Sequence, residues 1–190
     1  MNELASQKEA DSWVNENSDL LFRFALHRVK DEAIAKDLVQ DTFMAAWKSQ
    51  DSFKGDASIK NWLFGILKNK IVDHYRKNAK HKTDQLIDFD RQEESFFNKN
   101  EHWKKDTRPQ YWEPASDSEL EQNEFYDVLG DCQKRLKEIQ QAVFSLKYLD
   151  GLDSSEIVAV LGITESNYWV LMHRAKMQLR SCLEKNWFEK

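Results

Sequence analysis

Between residues 35 and 47 the side chains Ala35, Leu38, Val39, Thr42, Phe43, Ala46 and Trp47 recur at intervals of three and four. Each residue of an α-helix advances ~100° about its axis, so this spacing gathers all seven on one face. Asp31 stands where a helix N-cap is wanted, with Glu32 in the first turn. The same period returns in Ile59, Trp62, Leu63, Ile66, Leu67 and Ile71. It returns again in Phe125, Val128, Leu129, Cys132, Leu136, Ile139 and Val143, and Ala142, Phe144, Leu146 and Leu149 extend the set. Residues 12–30, with Trp13, Leu20, Leu21, Phe24, Ala25 and Val29, also read as a helix. No segment alternates as a strand does, and five glycines and two prolines are too few for the turns of an all-β chain. The expected fold is all-α.

With 190 residues the chain has room for one domain or two small ones. Residues 83–118 separate the helical segments. They hold both prolines, Pro109 and Pro114, an excess of acidic groups, and aromatic residues without a period. They read as a long acidic linker that docks rather than floats, between domains at 1–82 and 119–190. No apolar run approaches the ~18 residues of a membrane span, and the N-terminus lacks a signal-peptide pattern. No membrane insertion is expected, and the expected compartment is the cytoplasm.

The net charge of −5 is unevenly spread. Residues 53–82 carry eight basic and two acidic groups, and residues 167–190 carry five and two. Two basic segments in an acidic chain point to a polyanion met at two places, or to two solvated helix faces.

Near the C-terminus, Leu152 to Leu161 reads as a short helix closed by Gly162, where a left-handed residue is wanted. Thr164 or Ser166 can cap the next helix, which runs to about Leu183. Short helix, Gly-containing turn and basic helix make a helix-turn-helix pattern, in which Ile157, Leu161 and Ile163 face inward. His173, Arg174, Lys176 and Arg180 are expected on the outer face, toward a DNA major groove, although such units also occur as plain packing elements. In the first domain, Lys60, Phe64, Lys68 and Arg76 lie opposite the apolar stripe, beside Asn61 and Asn69. Interleaved cations and rings suit single-stranded nucleic acid. Trp62 falls on the stripe itself and is expected in the core.

Several motifs in order carry a resemblance. Asp37-Leu38-Val39-Gln40-Asp41-Thr42-Phe43, Trp47, Phe53-Lys54-Gly55-Asp56-Ala57-Ser58, Asn61-Trp62-Leu63 and Asp73-His74-Tyr75-Arg76 resemble region 2 of bacterial extracytoplasmic-function (ECF) sigma factors. Tyr148 to Leu152, Glu156-Ile157, Leu161-Gly162-Ile163 and His173-Arg174-Ala175 are similar to their region 4. The resemblance covers roughly 10–82 and 120–186. It implies a region 2 helical bundle and a region 4 helix-turn-helix, joined by the linker.

It also implies roles. Asp37, Gln40 and Asp41 match the face that docks on the clamp helices of the largest subunit of core RNA polymerase. The loop Phe53 to Ser58, including Lys54 and Gly55, matches the segment that captures a flipped base of the melted −10 element. Asn61, Lys68, Asn69 and Arg76 match a helix lying along the −10 DNA. The last helix, with Trp169, His173, Arg174 and Lys176, matches the reader of the −35 duplex in promoter DNA. The linker resembles a connector threading toward the active-site and RNA-exit channels, where its acidity would suit a mimic of nascent RNA in a basic channel. The tail from Cys182 to Phe188 resembles a subgroup whose partner is a small zinc-containing anti-sigma factor. Trp169 and Leu171 depart from the pattern, standing where basic residues are common. A shallow salt dependence and contact with thymine methyls are therefore expected.

The five histidines share no ligand spacing with Cys132 and Cys182, so neither a metal nor another cofactor is expected. The two cysteines make no disulfide scaffold. They read as buried thiols on helix faces, which a bundle could bring together in a redox role. No nucleophile–base constellation is present, and no enzyme activity is expected. The alternatives to a sigma factor are a stand-alone helix-turn-helix regulator of duplex operators and a helical adaptor that binds only protein.

Overall fold

The computed structural model describes residues 3–53, 57–82 and 119–188. The expected linker, Lys54, Gly55 and Asp56 lie outside them. Among the described residues there is no strand. The helices are α1 (Glu3–Val29), α2 (Glu32–Lys48), α3 (Ile59–Lys82), α4 (Glu119–Lys134), α5 (Glu138–Tyr148), α6 (Ser154–Leu161) and α7 (Glu165–Leu183). A 3₁₀ turn at Gln50–Ser52 follows α2, and a π turn at Glu184–Phe188 follows α7. By internal contacts the chain divides into two compact units, Met1–Tyr75 and Arg76–Lys190.

In the first unit five of the seven stripe residues on α2, Ala35, Leu38, Val39, Thr42 and Ala46, are buried, while Phe43 at the edge of the stripe is half-buried and Trp47 in the last turn is exposed. Trp13, Leu21, Ala25 and Val29 of α1 and Leu63, Leu67, Ile71 and Tyr75 of α3 are buried with them. Two polar side chains in this core are satisfied locally. The Thr42 hydroxyl donates to the Leu38 carbonyl at 2.7 Å, and the Tyr75 hydroxyl donates to the Arg28 carbonyl at 2.9 Å. The second bond ties α3 to the end of α1. Asp31 caps α2, its carboxylate accepting from the Ile34 N–H at 2.9 Å.

The second unit is built around α7. Its inner stripe, Tyr168, Leu171, Met172, Ala175, Leu179 and Leu183, is buried. Ala175, Leu179 and Leu183 pack with Cys132 and Leu136 from the α4 side. Ile139, Ala142, Val143 and Leu146 of α5 and Ile157 and Leu161 of α6 are buried as well. Two departures from the sequence reading have local causes. Helix α1 starts at Glu3 rather than near residue 12. The stripe from Phe125 to Val143 belongs to two helices, broken at residues 135–137. There the Lys137 N–H donates to the Gln140 side chain at 3.1 Å and starts α5.

The α6–α7 turn follows the expected chemistry. Asp153 caps α6, accepting from the Glu156 N–H at 2.8 Å, while the Glu156 carboxylate accepts from the Asp153 N–H at 2.8 Å. The Glu156 N–H, and after it the Ser155 hydroxyl, donate to the Asp153 carboxyl and hold it below its ordinary pKa. Gly162 ends α6 at φ +67°, and the Thr164 hydroxyl accepts from the Asn167 N–H to start α7. Cys132 and Cys182 correct the expectation of free thiols: they are joined as a disulfide between α4 and α7. Helix packing brings their Cα atoms to 5.8 Å, inside the range that a disulfide spans without backbone movement.

Candidate functional site

Three exposed faces emerge from this framework. The first is on α2. Asp37, Gln40, Asp41, Met44 and Lys48 fall at i, i+3, i+4, i+7 and i+11 on the side away from the buried stripe, and all five are exposed. Met44 is 59% exposed in the middle of this polar row. Sequence reading put the three polar residues on one face and did not name Met44, although its position at i+7 from Asp37 was legible. Asp41 also lies 4.0 Å from the Lys70 ammonium, a solvent-exposed pair of small energetic weight.

The second face is on α3. Asn61, Lys68 and Asn69 are exposed, and Gly65 lies among them. Arg76 is exposed too, one residue beyond the boundary of the first unit. The Ser58 hydroxyl accepts from the Asn61 N–H at 3.3 Å, so it starts the helix rather than pointing away unused. Phe53 is half-buried. Its ring centroid lies 4.9 Å from that of Trp62, whose ring meets Trp13 edge-on at 5.9 Å. This row of three aromatic rings anchors the loop's start to the core, and Trp62 is half-buried within it. Phe64 departs from expectation. It turns from the basic face and packs edge-on against Phe24 at 5.0 Å, because it flanks the buried Leu63 and Leu67.

The third face is on α7. Trp169, His173, Lys176 and Arg180 step by four, three and four residues and share one side. The first three are exposed, Trp169 at 56%. Arg180 is half-buried and donates to the Glu184 carboxylate at 3.0 Å. The Lys176 ammonium lies 5.8 Å from the exposed Tyr148 ring. Arg174, expected to read DNA, and Leu171, expected to add apolar contact, do not sit here. Arg174 is only 8% exposed. It lies three residues from the buried Leu171, on the inner flank and ~100° round from His173. Leu171 is part of the core, so the apolar contribution on the outer face comes from Trp169 and Val170 instead. Among the described residues no helix is long and apolar enough to cross a membrane.

The described residues are all-helical, with one basic helix in the N-terminal unit and a capped helix-turn-helix in the next, the layout of a two-region DNA-binding factor. Residues 13–81 match the family described as Sigma-70 region 2, and residues 126–179 match Sigma-70, region 4. A probable RNA polymerase sigma factor of Haemophilus influenzae is 31% identical over 165 residues, spanning 87% of this chain and 84% of that one. The ECF RNA polymerase sigma factor SigM of Bacillus subtilis is 29% identical over 163 residues, spanning 85% of this chain and 86% of SigM. The RNA polymerase sigma factor YlaC of the same organism is 27% identical over 166 residues, spanning 87% of each chain. The chain belongs to the sigma-70 family of RNA polymerase sigma factors, in its ECF branch.

Proposed function

We propose that this chain binds core RNA polymerase, directs it to specific promoters and assists melting of the −10 element, with residues 1–82 and 119–190 as the two working domains and 83–118 as their connector. What carries the reading is a region 2 match and a region 4 match in order in one chain, each with an exposed helix face of the required kind. In this reading Asp37, Gln40, Asp41 and Met44 meet the polymerase. Phe53, Lys54, Gly55, Ser58, Asn61, Lys68, Asn69 and Arg76 line the path of the −10 strand. Trp169, His173 and Lys176 meet the −35 duplex, and Arg174 supports their helix from beneath. An anti-sigma factor is the further partner that the resemblance implies. The working compartment is then the cytoplasm.

The test is the double substitution Gln40→Ala with Asp41→Ala. Both side chains are exposed, where substitutions usually change stability by no more than ~0.5 kcal/mol. Affinity for core polymerase is expected to fall about tenfold, ~1.4 kcal/mol, with helical content unchanged. Wild-type affinity in this double mutant would remove the α2 face from the interface.

A further inference from the structure

The disulfide between Cys132 and Cys182 is not spent on holding together a small disulfide-rich domain, since the second unit has a core of its own around α7. The pair also sits differently on its two sides. Cys132 is 2% exposed, packed with Leu136, Ala175, Leu179 and Leu183. Cys182 is half-buried, and both cysteines border a cavity of about 240 Å³, together with Arg135, Leu136, Gln178, Lys185 and Asn186. The Asn186 amide is fixed there by donating to the Cys182 carbonyl at 2.7 Å, and its nitrogen lies 3.5 Å from the Cys182 sulfur. Cys132 therefore touches the cavity only from within an apolar cluster, and Cys182 is the more accessible of the two. The bond borders a space of small-molecule size, edged by two cations and by the Asn186 amide donor beside Cys182. Nearby cations and donors favour a thiolate, which is the attacking and leaving species in thiol chemistry.

We propose that Cys132 and Cys182 are a thiol–disulfide exchange site for a low-molecular-mass thiol, entered through this cavity, with Cys182 as the sulfur that is attacked. The entering thiolate bonds to the Cys182 sulfur. The Cys182–Cys132 bond breaks, its electron pair goes to the Cys132 sulfur, and that sulfur takes up a proton. A second small thiolate then attacks the small-molecule sulfur of the mixed disulfide and releases Cys182 as thiolate beside Asn186, where it is protonated in turn. Two small thiols become one disulfide, and the protein disulfide becomes two thiols. Oxidation is the reverse, with a small-molecule disulfide as oxidant.

Both states fit the fold, because a free cysteine packs as a small hydrophobe among the residues already there. What changes is the clip between α4 and α7. It closes a loop of 50 residues that contains α5, α6 and most of α7, and opening it restores freedom to the unfolded chain. Where glutathione-type thiols keep most cysteines reduced, a pair held at bridging distance is one that switches. The compartment follows from the functional reading above; the exchange chemistry stands without it.

The experiment uses the full chain without polymerase, so its outcome is independent of the sigma-factor reading. The oxidised chain is incubated with reduced glutathione in native buffer, quenched, alkylated with a maleimide and weighed intact. Two alkylations are expected in the absence of denaturant. Reduction that occurs only in urea would overturn the proposal. Oxidised glutathione is then added to Cys132→Ser and to Cys182→Ser. The first is expected to take one glutathione, mapped to Cys182, at least tenfold faster than the second takes one at Cys132; equal rates would overturn the assignment of the attacked sulfur. Finally, the urea midpoint of the second unit in the wild-type chain is expected to drop on reduction while that of the first unit stays. An unchanged midpoint would show that the bond clips nothing. If a serine variant fails to fold, the two wild-type measurements still decide.

Discussion

Gly162→Ala tests whether the turn between α6 and α7 rests on backbone conformation alone. Gly162 holds φ +67° and ψ +34°, and its N–H closes α6 by donating to the Val158 carbonyl at 2.9 Å. A Cβ built at this position meets no atom within 4 Å, so no packing term enters. An L residue in the left-handed region costs ~1–2 kcal/mol. Alanine also narrows the unfolded ensemble, which offsets ~0.4–1 kcal/mol. The expected net loss is ~0–1.6 kcal/mol, centred near ~0.8, worth several degrees in Tm at ~4–8 °C per kcal/mol for a domain of this size. Gly162→Asn should lose less, because asparagine visits this region more readily. Gly65→Ala is the matched control. Gly65 lies inside α3 and its Cβ position is equally open, but its backbone is helical. It should therefore gain ~0.5–1 kcal/mol. Urea unfolding of the full chain, resolved by amide hydrogen exchange, assigns each change to its unit. A gain for Gly162→Ala would refute the left-handed turn. A loss above ~3 kcal/mol would refute the open space around it.

Three further outcomes follow from particular contacts. Leu67→Ala removes a side chain with no exposed surface from the first unit and should cost ~2–5 kcal/mol by equilibrium unfolding; a loss below ~1 kcal/mol would mean that α3 is not packed there. The Asp153 carboxyl has a lowered folded pKa, so its cap on α6 contributes fully above the unfolded value of ~3.9 and is lost as pH falls through the lower folded value. Titration followed at the Glu156 amide should show its midpoint below ~3.9, and a midpoint at or above that value would remove the cap. Lys176→Ala should weaken holoenzyme binding to all −35 variants alike and lower the salt slope by about one unit, whereas Trp169→Ala should alter preference among them at unchanged slope. The reverse pattern would exchange their roles.

The parts legible in the sequence are those fixed by local periodicity and local hydrogen bonding. The α2 stripe, the Asp31 cap and the Gly162 turn each depend on residues within a few positions of one another. The first turns of α1 lack an apolar period, so its start at Glu3 could not be seen in the pattern. The break after α4 was hidden because Leu136 and Ile139 keep a spacing of three across it, although Gln140 starts a new helix there. Arg174 was misplaced because residue type suggested the surface while its angular position, beside Leu171, puts it on the flank that α7 buries. The Cys132–Cys182 bond required knowing how α4 packs on α7, which no spacing within either helix encodes. Phe64 is the same case: its ring is claimed by Phe24 of another helix.

The central claim is that this chain confers promoter selection on core RNA polymerase. Its most direct test is run-off transcription on genomic fragments from the same organism, with core enzyme alone and with the chain added, followed by mapping of RNA 5′ ends. The account predicts ends that appear only with the chain, at sites sharing a −35 and a −10 element, and stronger binding when the −10 strands are pre-melted, since unstacking a base costs a few kcal/mol. DNA binding without new transcripts would contradict it in favour of a stand-alone helix-turn-helix regulator, and core binding without new transcripts would leave only a protein adaptor.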